Sequence, residues 1–139
     1  MSTVKTTLSG YVGYRGREGH WSFLLHRLTG VGVLLFLVIH VIDIGLVYFH
    51  PAGFMEVLAI YQTTLFGLGE IALVFCVFYH GLNGLRIAYF DMIKPHLWSI
   101  ETQRKFSWIT LIAAIVLWLP ATAIMLRNLL YHNYGLFGG

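Results

Sequence analysis

The sequence predicts an all-α membrane protein with three transmembrane helices, its N-terminus cytoplasmic and its C-terminus outside. Three observations carry this expectation. Of 139 residues, 58% are hydrophobic and 11% charged, against about 25% charged in an ordinary soluble domain. Three apolar runs are each long enough to cross a hydrocarbon core of roughly 30 Å, which takes about 20 helical residues. The lysines and arginines fall on alternate sides of those runs. The length suits one domain. Residues 1–20 are read as a cytoplasmic segment and 21–139 as the three-helix transmembrane domain.

The N-terminal segment is polar, with Lys5, Arg15 and Arg17. Its first dozen residues are expected to be loosely held, with order starting near Gly16. No secretory signal is visible, because the first apolar run begins late and is too long for an h-region. Leu28 to Phe49 is the first span, with Asp43 and His40 inside it. His50-Pro51-Ala52-Gly53 breaks the helix. Residues 51 to 63 form a connection with an interfacial turn around Phe54 to Tyr61. The second span runs from about Leu65 to Phe90 and holds Glu70, His80 and Arg86. Asp91 to Gln103 is polar. Phe106 to Leu126 is the third span, with Pro120 inside it, where a missing backbone bond favours a bend.

Charge placement gives the orientation. Lys5, Arg15, Arg17 and Arg27 precede or open the first span, and Arg86, Lys94, Arg104 and Lys105 surround the second connection. The first connection has no lysine or arginine and the tail has only Arg127. The N-terminus and second connection are therefore expected in the cytoplasm. Trp21, Trp98, Trp108 and Tyr48 fall near the span boundaries, as interfacial aromatics do. No internal repeat is present, which argues against an inverted-repeat transporter. The single cysteine, Cys76, excludes an internal disulfide and a thiolate cluster and reads as a small buried hydrophobe.

Ionisable residues inside a span cost about 2.5 to 3.5 kcal/mol each at the helix centre, so each needs a partner or a role. His80 lies 11 residues before Asp91, about 16 Å at 1.5 Å per residue, near the midplane. Neutral imidazole is a good iron ligand. Gly84 follows at i+4 on the same face, where a flat macrocycle could approach the helix. Arg86 is about 120° off that face, near the polar boundary, within reach of a haem propionate. The rival reading of His80 is a histidine hydrogen-bonded across helices beside tight-packing glycines. His40, about 21 Å beyond His26, is a second candidate iron ligand. The preferred reading for it is a hydrogen bond to Asp43 or a partner helix. Ser22, His26 and Arg27 gather at the entry of the first span, two donors and a cation that suit a carbonyl-bearing lipid headgroup gaining negative charge on reduction. An interfacial anchor is the alternative. Glu70, Tyr79, His20, His50, His96 and His132 are read as interfacial or solvated groups.

Two segments resemble a known family. His26-Arg27-Leu28-Thr29-Gly30 is similar to the first-helix entry motif of the cytochrome b membrane-anchor subunit of succinate dehydrogenase (respiratory complex II). Tyr79-His80-Gly81-Leu82-Asn83-Gly84-Leu85-Arg86, followed by Asp91, is similar to that family's second-helix motif. The resemblance covers about residues 16 to 127. It implies His80 as axial ligand of haem b, with the second ligand from a partner anchor subunit. It implies His26 and Arg86 near the propionates, and Arg27 with Ser22 at a quinone site. It also implies a flavoprotein subunit and an iron–sulfur subunit as partners, in the bacterial cytoplasmic (inner) membrane. Two positions depart from the pattern. Ile87 stands where a second histidine often follows the arginine, and Phe23 stands four residues before Arg27, where the quinone-site serine often sits.

The expected function is thus a membrane anchor of a succinate:quinone oxidoreductase, with no complete active site in this chain. No flavin or nucleotide fingerprint and no cysteine cluster is present, so succinate chemistry belongs to other chains. Nothing suggests nucleic-acid binding. The rival classes are an ion or solute pathway through His40, Asp43 and His80, and a purely structural three-helix subunit.

Overall fold

The computed structural model describes residue 10 and residues 18–136. The expectation of a loosely held first dozen residues with order from Gly16 falls, Gly10 apart, outside them. Among the described residues there are four α-helices and no strand. These are α1 (Glu18–Phe49), α2 (Pro51–Tyr61), α3 (Thr64–Met92) and α4 (Ile100–Tyr134), with a 3-10 turn at Pro95–Leu97 before α4. Helices α1, α3 and α4 are long and apolar enough to cross a membrane. They overshoot it: 35 residues in α4 rise about 52 Å at 1.5 Å each, so polar ends stand clear of the core.

The helix ends follow from local chemistry. α1 stops where His50 precedes Pro51, a position that disfavours helical backbone. Pro51 then opens α2, since its missing N–H costs nothing in a first turn. The His50 Nδ1 accepts the Gly53 N–H at 2.8 Å, a cap supplied by imidazole. The first connection is therefore a helix of 11 residues and not a single turn. Ser99 caps α4, its Oγ accepting from the Thr102 N–H at 3.2 Å. At the far end Gly135 has φ 65°, and the Leu136 N–H reaches back to the Leu130 carbonyl at 3.3 Å. That left-handed closure favours glycine. α4 runs unbroken through Pro120.

Packing is arranged for lipid. The buried polar residues are Ser22, Thr29, Asn83, Ser107 and Thr110, while Leu28, Leu85 and Ile124 are 71%, 69% and 63% exposed. Lipid is as apolar as leucine, so spanning helices associate through small residues and hydrogen bonds. α3 is central, packing most extensively on α4 and next on α1. Against α1, Gly30 meets His80 and Gly32 meets Cys76. Against α4, the Trp118 Nε1–H donates to the Ile71 carbonyl at 2.8 Å, and Phe75 lies edge-on to Trp118 at 5.6 Å. Phe90, 1% exposed, meets Phe106 at 5.0 Å. α2 is held to α1 by Tyr61, whose hydroxyl donates to Asp43 Oδ2 at 2.5 Å.

Candidate functional site

α1 is already helical at Glu18, so Ser22 and His26, four residues apart, share the face turned to α3. Ser22 is 7% exposed and Asn83 1%. The Ser22 Oγ donates to Asn83 Oδ1 at 3.3 Å and lies 3.3 Å from the Tyr79 hydroxyl. Tyr79 also reaches the Ser22 carbonyl at 3.4 Å. This corrects the reading of Tyr79 as interfacial: it is 2% exposed and forms the hub of the α1–α3 contact. A tyrosine beside a motif histidine gives no periodicity signal that separates core from interface. Its partner Ser22 lies 57 residues away.

One turn deeper, the rings of His26 and His80 stack at 4.1 Å with 4° between their planes. His80 Nδ1 lies 3.1 Å from the His26 carbonyl oxygen. A carbonyl only accepts, so Nδ1 carries the proton. In the neutral ring the lone pair is then on Nε2, which has no hydrogen-bond partner among the described residues. A Cβ on Gly30 would fall 2.7 Å from His80 Cε1, so only glycine leaves the ring its place. Gly84 faces the other ring, where a Cβ would sit an ordinary 3.8 Å from His26 Cε1.

Arg86 turns toward α4, its Nη1 donating to the Ser107 hydroxyl, which donates in turn to the Gln103 carbonyl at 2.8 Å. Among the described residues four buried side-chain nitrogens lack partners: His26 Nδ1, Asn83 Nδ2, Arg86 Nε and Gln103 Nε2. Buried polar groups are normally satisfied, so these are places for groups from outside the chain. A haem of the b type needs an imidazole with an oriented lone pair and cationic or N–H groups for its propionates. His80 meets the first need, and His26 and Arg86 carry free nitrogens suited to the second. The residues present fit that group.

The other candidates are dispersed. Arg27 is exposed and lies over the Phe23 ring at 5.2 Å. It is about 140° around the helix from Ser22, and the two do not meet. Ser22 instead lines a cleft of 160 Å³ with Trp21, Tyr79, Ser107 and Trp108. His40 is exposed and stacks on Phe36 at 5.2 Å. The preferred pairing of His40 with Asp43 is replaced by the Asp43–Tyr61 bond, because α2 folds back along α1. Among the described residues no three or more His, Cys, Asp or Glu side chains group to hold a metal ion.

Comparison with known proteins bears on this geometry. The family described as succinate dehydrogenase/fumarate reductase transmembrane subunit matches residues 12–121. The succinate dehydrogenase 2 membrane subunit SdhC of Mycobacterium tuberculosis is 35% identical over 132 residues, covering 90% of this chain and 93% of the relative.

Proposed function

The chain belongs to the succinate dehydrogenase/fumarate reductase transmembrane-subunit family, a multi-pass membrane anchor, and from that premise we propose that it binds haem b through His80 and helps form a quinone site. Its proposed seat is a bacterial inner membrane, with residues 1–20 cytoplasmic, residues 21–139 as the anchor domain and the C-terminus outside. Its partners would be a flavoprotein subunit, an iron–sulfur subunit and a second anchor subunit, which would complete the haem site.

The single observation that carries the reading is the bond from His80 Nδ1 to the His26 carbonyl at 3.1 Å. It fixes the tautomer and ring plane in the way that ligating histidines require of an outer partner. Haem b, when bound, supplies a one-electron store between the iron–sulfur subunit and quinone. The remaining work belongs to side chains of this chain. Arg86, a permanent cation with a free Nε, would hold the propionates, and the free His26 Nδ1 would offer them a hydrogen bond. Arg27 places a permanent positive charge at the membrane surface, where it stabilises negative charge developing on a quinone oxygen. Ser22 offers its hydroxyl from the cleft beside Trp21 and Trp108. Since Ser22 and Arg27 lie on different faces of α1, a quinone touching both crosses the helix end, in a site completed by partner subunits.

The replacement His80→Gln tests the reading. Glutamine can still donate to the His26 carbonyl but does not sustain a low-spin bis-imidazole centre. Complex purified with this variant is expected to assemble with its haem lost or its low-spin signal abolished. Full retention of a native haem signal contradicts ligation by His80.

A further inference from the structure

The segment Leu28-Thr29-Gly30 holds two residues that the proposed function leaves without a task. Thr29 is 2% exposed. Its hydroxyl donates to the Leu25 carbonyl at 2.7 Å and lies 3.1 Å from the His26 carbonyl. That second oxygen is the one that accepts the His80 Nδ1–H, also at 3.1 Å. The one hydroxyl proton is thus split between the Leu25 and His26 carbonyls, and its longer branch shares the His26 oxygen with the His80 Nδ1–H of the other helix. Gly30 lies next in sequence, and a Cβ there would stand 2.7 Å from His80 Cε1 and 3.1 Å from Nδ1. A contact of 2.7 Å is one that real Cβ atoms essentially never make, so the ring of His80 would have to turn or withdraw from the carbonyl. Gly32, on the same stretch of α1, gives the contrast: its Cβ would meet Cys76 Sγ at an ordinary 3.5 Å.

We propose that Thr29 and Gly30 are positioning residues that set the orientation and electron-donating strength of His80, Gly30 by leaving the ring room beside the His26 carbonyl and Thr29 by sharing that carbonyl with it. The inference rests on the reading of His80 as an iron ligand and goes beyond it. A hydrogen bond from the distal ring nitrogen raises the basicity of the ligating one. A more basic ligand stabilises the oxidised iron. Thr29 draws on the shared oxygen and so moderates that bond, while Gly30 permits it. The two residues act in opposite senses on one hydrogen bond.

The test is a redox titration and a low-temperature EPR spectrum of the haem in the intact complex, for the native protein and for Thr29→Val, Gly30→Ala and Gly32→Ala. Valine matches the shape of threonine without its donor, so Thr29→Val is expected to retain haem with a lower midpoint potential. Gly30→Ala is expected to raise the potential, or lose haem, and to shift the low-spin EPR signal as the ring turns. Gly32→Ala is expected to match the native complex. Shifts of the same sign in Thr29→Val and Gly30→Ala, or no shift in either, overturn the inference while leaving haem ligation by His80 intact. If Gly30→Ala does not assemble, Thr29→Val decides alone, and an unchanged or raised potential overturns the proposal. A native complex without haem overturns the ligand reading and this inference together.

Discussion

The imidazole of His80 on α3 lies face to face with that of His26 on α1, 4.1 Å apart and 4° from parallel. Each ring has a glycine of the opposite helix beside it: Gly30 for His80 and Gly84 for His26. Helices are thus brought together at one level by two histidines and two glycines. The family membership says that the chain is an anchor. This pairing is where the proposed haem ligand sits.

Arg27 stands apart from that pair, exposed over Phe23. Arg27→Ala is therefore expected to leave the haem spectrum unchanged. Quinone reductase activity of the complex is expected to fall on the order of a hundredfold, the scale of removing one donor from a developing oxyanion. Steady-state assays with a soluble quinone measure it, and unchanged activity removes Arg27 from the mechanism.

The Ser22–Tyr79–Asn83 cluster makes a graded prediction about stability. Tyr79→Phe deletes one hydroxyl but leaves the Ser22–Asn83 bond, at a cost of about 1 kcal/mol. Asn83→Ala removes the acceptor of Ser22 and opens space in a fully buried position, and is expected to cost about 2 kcal/mol or more. Thermal unfolding of the detergent-solubilised complex ranks them. Equal effects would place the stability in packing and not in the hydrogen bonds.

Two glycines of α3 separate contact from propensity. A Cβ at Gly67 would meet Leu129 Cδ1 at 2.5 Å, whereas nothing lies within 4 Å of one at Gly69. Gly69→Ala is expected to be neutral or stabilising by up to about 1 kcal/mol, the helix-propensity difference. Gly67→Ala is expected to destabilise, and Leu129→Ala in the same chain to relieve the clash. A Gly67→Ala complex as stable as Gly69→Ala would mean that α3 and α4 do not meet closely there.

The link between α1 and α2 is expected to depend on pH. The hydrogen bond to Asp43 is the main reason that the Tyr61 phenol is pushed up to about 12, from an ordinary value near 10. A raised folded value means that the bond contributes fully below about pH 10 and is lost as pH rises through about 12. Asp43→Asn is expected to bring one phenolate transition down toward 10, and Tyr61→Phe to abolish it. A phenolate absorbance titration reads both. No change in either variant would show that Tyr61 does not donate to Asp43.

Much of this was legible in the residues, and the misses have physical reasons. Hydropathy located three spans because runs such as Phe106 to Leu126 reach the roughly 20 residues that crossing a hydrocarbon core takes. The length of α1 was understated, since Glu18 to Arg27 is polar and aromatic yet continues the same helix. Residues 51 to 63 were read as a connection with a turn around Phe54 to Tyr61 because Pro51 and Gly53 are breakers in general, although proline suits a first helical turn. His80 stood out as an isolated imidazole in an apolar run. Tyr79 did not, because its hydroxyl is satisfied across 57 residues of sequence. The expectation that His40 bonds Asp43 or a partner helix left out, for Asp43, the competing phenol of Tyr61, which the fold of α2 delivers. Thr29 and Gly30 were visible only as parts of a motif, since their work depends on a ring on another helix.

The central claim is that His80 is an iron ligand. The measurement that tests it most directly is a dithionite-reduced minus oxidised optical spectrum of the complex purified through this chain, beside its His80→Ala variant. A b-type signal is expected in the native complex and is expected to be lost or altered in the variant. A native complex without haem, or a haem signal that survives His80→Ala unchanged, would contradict it.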